Sequence, residues 1–416
     1  MHEWKRKKAV GNRAKTTTRP GIDLNAPDVI RNPFPTYTLM CTQFPVCQLE
    51  PNGIWAISQM DDVRFALKNH AAFSSEGMKA LCKPAWLEGT FLDQSILTQD
   101  PPGHDRQRAL INKAFVKRVI NLLIPKLHET ATSLIDRFDF DQEFDFSHRF
   151  SWPYIEKIVG RMIGTDELQD VSELKYFIEL QDTITPERPL PSVANEIETA
   201  FKIQYGFFRE AIASRRQKPR DDIISAVLAA EIDGKKLPEQ ATIAFLHLLT
   251  SAALHTTAHA LNNAIVQLAR DPQLIPVLRE SPDKINAFIE ELLRFSPPTH
   301  SLFRQTTQDI TIRGVTIPRG ELVMLMLAAA NRDPAHFKEP DRFDISRENS
   351  KAHVSFGDGA HTCVGSALAK VEIRIALEAL LAKISHVSCR SEEDIDWLVS
   401  MVSRGISNLP VRLSRR

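Results

Sequence analysis

Phe356-Gly357-Asp358-Gly359-Ala360-His361-Thr362-Cys363-Val364-Gly365 is the stretch on which the fold turns. Three of the chain's 16 glycines fall inside these ten residues, which marks backbone in tight or close-approach geometry. A helix is predicted from near Ser366 to about Lys383, so Cys363 stands at a helix mouth, where the dipole favours an anion. Two readings of these residues alone stay open. One is a metal-bound thiolate with backbone N–H groups aimed at the sulfur; the other is a buried cysteine after a glycine turn.

Outward from that loop, the 416-residue chain reads as mainly helical with a small antiparallel β region. Between Pro238 and Pro272 there is neither glycine nor proline. Pro238 suits a helix start and Asp271-Pro272 a stop, and a helix over that span would be about 50 Å long. Its middle is apolar enough for a bilayer, but His247, His255, His259, Asn262, Asn263 and Gln267 would be costly in lipid. A buried helix of a folded domain is expected instead. From Gly103 to about Gly234 the pattern is mostly helical, with breaks expected near Pro125, Pro153, Pro186 and Pro189. A short helix is expected over Asp61–Lys68. Val46–Leu49 and Ile54–Ile57 flank Asn52-Gly53, a two-residue hairpin signal. The stretch from Asp309 to Leu325 is strand-like around Gly314 and Gly320, and Arg332 to Pro340 reads as irregular chain.

Lys and Arg number 52 and Asp and Glu 52, a net charge of +0. That balance gives no basic excess for nucleic acid. The first twenty residues are locally basic, with Lys5, Arg6, Lys7 and Lys8 among charges that face only Glu3. Residues 1–30 are expected to form a basic flexible tail and 31–416 a single domain. No apolar run follows those charges, so neither a secretory signal nor a membrane anchor is expected, and the protein is expected to be soluble, monomeric and cytoplasmic. Cys41, Cys47, Cys82, Cys363 and Cys389 form no CxxC pair, which argues against a disulfide framework or a zinc site.

Two charged pairs share helix faces. Glu291 and Arg294 are three apart and can pair. His104 and Arg108 are four apart, either as two donors clamping an anion or as a solvent-facing pair. His255 and His259 are also four apart, but Thr256 stands where a zincin requires glutamate.

The Cys363 stretch resembles the haem-binding loop of cytochromes P-450, Phe-Gly-x-Gly-x-His-x-Cys-x-Gly followed by Leu-Ala. Phe356, Gly357, Gly359, His361, Cys363, Gly365, Leu368 and Ala369 occupy every fixed position. The matched features run from about Asn32 to the C-terminus. The resemblance implies the P-450 fold and haem b (iron protoporphyrin IX), with Cys363 as axial ligand, Phe356 shielding the sulfur and His361 bonding a propionate. A thiolate ligand pushes electron density onto iron and favours O–O cleavage. It further implies that Glu291 and Arg294 join Arg342 in a buried structural network, where bidentate geometry favours arginine, and that His104, Arg108 and Arg304 grip propionates.

The long helix departs from the family's Ala-Gly-x-(Asp or Glu)-Thr-Thr. It reads Ala252-Ala253-Leu254-His255-Thr256-Thr257, so Ala253 replaces the kink-forming glycine and His255 the acid. Thr256 matches the oxygen-side threonine. Successive helix residues turn by about 100°, so His255 is expected to point to one side of Thr256. There it would act as a proton relay, with an ordinary pKa near 6.5, or as a plain core histidine. The implied activity is monooxygenation of an apolar small molecule, with electrons from a separate ferredoxin and its reductase. Lys113, Lys117, Arg118, Lys370 and Arg374 are candidate partner contacts. Substrate contacts are expected from Met78–Ile96, Phe177–Phe208, Thr250 and Ala253, and Thr299, Leu302 and Phe303. Phe91 would add apolar wall, and His300 and Ser301 polar anchors. Two alternatives are a haem-thiolate enzyme that uses peroxide or runs no monooxygenase cycle, and a non-catalytic haem sensor.

Overall fold

The computed structural model describes residues 20–79, 89–114, 117–164, 190–390, 395–399 and 402–416. Cys82, most of the basic tail, the expected breaks at Pro186 and Pro189, and the 80–88 and 177–189 parts of the expected substrate regions lie outside them.

The axis of the molecule is the long helix, Glu239–Arg270, 32 residues. Pro238 caps its start, with its carbonyl accepting the Thr242 N–H at 2.8 Å. Apolar residues cover almost every face, so the helix must be buried all round. The helices Trp152–Ile163 and Ser366–Lys383 and the strand Arg404–Asn408 pack on it. Each fully buried Leu or Ile contributes roughly 1.5–3 kcal/mol relative to exposure, so protein replaces lipid as its apolar surroundings. The polar residues that argued against a bilayer find partners. Asn262 Nδ2 donates to Ser147 Oγ at 2.9 Å and Asn263 Nδ2 to the Ser296 carbonyl at 3.0 Å, while His247 Nδ1 lies 2.5 Å from Gln204 Oε1. Among the described residues no helix is long and apolar enough to cross a membrane.

The expected break at Pro125 is absent: one helix runs from Lys117 to Ile135 through it. Proline removes the N–H that would bond the Asn121 carbonyl. Both residues are exposed, and water can serve the freed acceptor. No break occurs at Pro153 either: it lies in the first turn of the helix Trp152–Ile163, which continues directly from a π-helical turn, Ser147–Ser151, and the irregularity falls in that turn instead.

Among the described strands every pairing is antiparallel except one. Its largest sheet orders Val46–Gln48, Trp55–Ile57, Leu322–Leu325, Leu302–Thr306 and Phe73–Ser74, with Trp55–Ile57 parallel to Leu322–Leu325. The hairpin around Asn52-Gly53 forms, but its loop holds residues 50–53, because the Leu49 N–H still bonds the Ile54 carbonyl at 2.8 Å. Pro51 has no N–H for a tighter ladder. The strands Ile310–Ile312 and Val315–Ile317 turn through Arg313 and Gly314, both at positive φ, 52° and 77°, as a tight two-residue hairpin requires.

Phe356 and Val364 pack against the helical core, while Val354 belongs to the cluster on the sheet side. The Cys363 loop therefore joins helices to sheet, and the site lies at that junction.

Candidate active site

Turn chemistry shapes the Cys363 loop. Gly357 and Gly359 sit at φ 72° and 74°, where a Cβ is strained. At Gly359 a Cβ would also stand 2.9 Å from the Leu67 carbonyl, so this glycine is needed twice. The Asp358 carboxylate accepts the Gly359 N–H at 2.7 Å, and the Thr362 hydroxyl donates to the Gly359 carbonyl at 2.7 Å. The Cys363 N–H donates to the Phe356 carbonyl at 2.9 Å.

These bonds present Cys363 as an exposed thiol just before the helix Ser366–Lys383. Without a ligand its pKa is raised overall by burial, and the Gly365 N–H, the Arg108 charge and the Ser366 N–H offset part of that rise. Two backbone donors and a guanidinium suit a thiolate. Lys370 Nζ lies 5.3 Å from the centre of the Phe356 ring and 2.7 Å from Glu290 Oε1.

A second group of residues gathers beside the loop from four chain segments. The His104 and His361 rings are 4.1 Å apart, and His361 Nε2 lies 2.9 Å from Ser75 Oγ. Arg108 Nη2 donates to the Thr362 carbonyl at 2.5 Å. Arg304 is buried, and burial lowers its pKa to about 10 while Asp100 raises it. His361 is driven down to about 3, first by burial and then by His104 and Arg304. His104 Nε2 is buried with no protein hydrogen-bond partner, a state that costs about 1–3 kcal/mol if left unmet. Among the described residues two carboxylates lie beside this donor-rich cluster: Asp105, whose Oδ1 is 3.0 Å from His104 Nδ1, and Asp100, which is already engaged by Ser74 and Ser75. Propionates would supply the missing acceptors and the countercharge, so thiol and cluster together fit an iron porphyrin.

On the long helix, Ala252 is exposed and Ala253 and Thr256 are half-buried in the middle of an otherwise buried element. The Thr256 hydroxyl donates to the Ala252 carbonyl at 2.9 Å. His255 turns elsewhere, its ring 5.1 Å from Trp152 and 5.8 Å from His259. Thr250 is buried and bonds the Leu246 carbonyl at 2.8 Å. Phe91 stacks on Phe201 at 4.6 Å and on Tyr205 at 5.6 Å, with His247 edge-on at 5.6 Å. This buried aromatic cluster joins the Phe91 turn, the helix Leu190–Gln217 and the His247 face of the long helix.

Three expected positions need correction. Arg342 contributes only its backbone carbonyl, 3.2 Å from Arg294 Nη2, while its side chain is 62% exposed beside Glu339. The second arginine on Glu291 is Arg347, whose Nε reaches both carboxylate oxygens at 3.2 Å. The chain bends between Pro340 and Arg347 so that backbone, not side chain, of Arg342 meets the network. Phe303 lies in the cluster with Tyr37, Met40 and Met324. Strand alternation puts it on the face opposite Leu302 and Arg304, away from the haem-side residues. His300 likewise faces Tyr37, whose hydroxyl is 2.8 Å from its Nδ1, so it is no anchor for substrate. Thr299 is half-buried and bridges to Ser403, and Leu302 lies 4.0 Å from where a Gly357 Cβ would be.

Among the expected partner contacts, Lys113 bonds the Glu231 carbonyl and Arg374 pairs with Glu378. The side chains of Lys117 and Arg118 lie outside the described residues.

Glu372 was not anticipated. It is buried, with Oε2 accepting from the Thr257 hydroxyl at 3.2 Å, and burial raises its pKa from 4.5 to about 7. The signal was present: Leu368, Glu372, Ala376 and Leu380 fall at four-residue intervals on a buried helix stripe, an acid among apolar neighbours.

Comparison with known proteins agrees with this geometry. The family described as cytochrome P-450 matches residues 36–411. A putative cytochrome P-450, YjiB of Bacillus subtilis, is 32% identical over 385 residues, covering 92% of this chain and 94% of its own. Cytochrome P-450 107B1 of Saccharopolyspora erythraea is 34% identical over 373 residues, 87% of this chain and 90% of its own. The structure of CYP109Q5 from Chondromyces apiculatus superposes with a TM-score of 0.86 at 32% identity, over 95% of this chain and 99% of that one. A fold, a cysteine loop and a donor cluster that fit haem, together with a family match along nearly the whole chain, lead to one statement: the chain belongs to the cytochrome P-450 family and is a haem-dependent monooxygenase.

Proposed function

We propose that this enzyme inserts one oxygen atom from dioxygen into an apolar substrate of roughly steroid size, using Cys363 as the thiolate ligand. The observation that carries the substrate class is the long-helix face of Ala252, Ala253 and Thr256, which stands open in an otherwise buried element and offers apolar surface with a single hydroxyl. CYP109E1 of Bacillus megaterium, with a TM-score of 0.81 at 27% identity, has been solved in complex with corticosterone.

Haem, when bound, supplies the redox centre at which dioxygen is activated. The chain's own residues do the rest. His104, Arg108, Arg304 and His361 hold the propionates, and the Gly365 and Ser366 N–H groups steady the thiolate. Thr256 carries a hydroxyl proton at the oxygen side. Glu372 keeps a proton at its carboxyl near neutral pH, one residue away through Thr257, and His255 is a second relay candidate. Electrons come from a ferredoxin and its reductase, docking near Lys370 and Arg374. The enzyme works as a cytoplasmic monomer.

The test is the reduced, carbon-monoxide-bound spectrum, followed by spin-shift titrations with corticosterone, testosterone and smaller apolar compounds. A red-shifted Soret band and a spin shift with the polycyclic compounds are expected. A Soret band without the thiolate shift overturns the ligand assignment. Turnover with peroxide alone, and none with ferredoxin and reductase, favours the peroxide-using reading.

A further inference from the structure

Beside the Cys363 loop, three ionisable side chains from three segments converge on one aromatic ring. Glu290, on the helix Pro282–Phe295, places Oε1 2.7 Å from Lys370 Nζ and Oε2 3.2 Å from His353 Nε2. Lys370 belongs to the helix that Cys363 precedes, and His353 to the chain that leads into the loop. The Lys370 ammonium lies 5.3 Å from the centre of the Phe356 ring, and the His353 ring lies 6.0 Å from it. The Phe356 carbonyl in turn takes the Cys363 N–H at 2.9 Å.

The contact is built into the protein. The side chains of Glu290 and His353 are 11% and 4% exposed, so solvent screens their pairing less than it would on the surface. Burial raises the Glu290 pKa, but the bonds from His353 and Lys370 outweigh it and bring the carboxyl down to about 2. His353 is fixed at both nitrogens. Its Nδ1 accepts the Ser355 N–H at 3.2 Å, which leaves Nε2 as the donor to Glu290. Ser355 is bound to the same helix as Glu290, its hydroxyl donating to the Leu293 carbonyl at 2.6 Å.

A carboxylate held in this way fixes an ammonium whose four-carbon stem is otherwise flexible. A cation within about 6 Å of a ring centre is attracted to the ring face. Holding Lys370 therefore also holds Phe356, and Phe356 holds the Cys363 backbone.

We propose that Glu290, Lys370 and His353 are positioning residues for iron ligation: by pinning Phe356 they keep Cys363 where its sulfur serves as a thiolate ligand. They act through Phe356 and not on the reacting atoms. The proposal rests on the reading of Cys363 as the iron ligand.

The test follows the carbon-monoxide complex of the reduced, haem-loaded protein in mild denaturant and times the loss of its red-shifted Soret band. The assay contains no ferredoxin, so partner docking near Lys370 does not enter it. Lys370→Met is expected to speed the loss roughly fivefold, the worth of one cation–π contact, and Glu290→Gln to speed it at least as much. Lys370→Arg keeps a cation between Glu290 and the ring and should stay within about twofold of the parent. Arg374→Met removes a cation from the same helix, one paired with Glu378, and should match the parent. Urea unfolding followed by circular dichroism reads general packing. Its midpoint should hardly move in Lys370→Met, because the contact governs local opening of the loop. Loss no faster in Lys370→Met than in Arg374→Met overturns the proposal, and so does faster loss that only tracks a lowered unfolding midpoint. A parent protein without the red-shifted band fails at the Cys363 reading itself and takes this proposal with it.

Discussion

Arg347 and Glu291, 56 residues apart in the chain, share a buried contact in which Arg347 Nε lies 3.2 Å from both carboxylate oxygens. Arg294 donates Nε and Nη2 to the same carboxylate at 2.8 Å, with both side chains fully buried. Arg294 also bonds the carbonyls of Asn331, Pro340 and Arg342. One carboxylate thus ties a helix to the chain before the haem loop.

The two arginines should therefore behave differently. Breaking a buried ion pair by removing one partner costs about 3–5 kcal/mol. Arg347→Ala is expected to lose that order of stability in chemical denaturation and to retain haem poorly. Arg342→Ala, at an exposed side chain, should stay within about 0.5 kcal/mol of the parent. Equal losses in the two variants would contradict the assignment.

Glu372 predicts a pH dependence of the opposite kind from most acids. Its folded pKa is raised from 4.5 to about 7 by burial. Between those values the folded state holds a proton that the unfolded state has lost, so stability falls as pH rises through the window and is lowest above 7. The total is on the order of 3 kcal/mol. Glu372→Gln keeps a neutral hydrogen-bonding group there and should flatten the pH 5–7.5 arm of the stability curve.

The haem side was legible in the sequence because its rules are local. Gly357 and Gly359 need positive φ, Cys363 must precede a helix, and His104 and Arg108 are spaced along one helix turn. The long helix was legible because nothing between Pro238 and Pro272 interrupts it. Arg347 was not, because choosing between it and Arg342 depends on how the irregular chain between Pro340 and Arg347 bends. Phe303 was misassigned because strand phase, not residue type, decides which face meets the site.

Acid should unfold the protein through its buried histidines. Burial lowers His247 and His259 from 6.5 to about 4. Each depressed value means that stability is fully present above about pH 6.5 and is lost as pH falls toward 4. Two such groups outweigh Glu372 in the overlapping range, so net stability should drop below pH 6. His247→Gln keeps a polar partner for Gln204 and should move the acid-unfolding midpoint down by several tenths of a pH unit. An unmoved midpoint would show that His247 is not held neutral.

Proton supply to Thr256 separates the two relay candidates. The Thr256 hydroxyl is bonded to the Ala252 carbonyl, the His255 ring faces Trp152, and the Glu372 carboxyl touches Thr257. Product formed per NADH oxidised, in a reconstituted ferredoxin system, reads the supply directly. Thr256→Ala is expected to lower it roughly tenfold, the worth of one lost hydrogen bond to a reacting group. Glu372→Gln should lower it by a comparable factor below pH 7, with the difference from the parent shrinking above pH 7, where the parent carboxyl itself gives up its proton. His255→Ala should lower it less, because its ring lies on another helix face. If coupling in His255→Ala is unchanged at every pH, His255 is a packing residue and Glu372 is the proton source. If Glu372→Gln is unchanged instead, the path runs through His255 and the contact with Thr257 is structural.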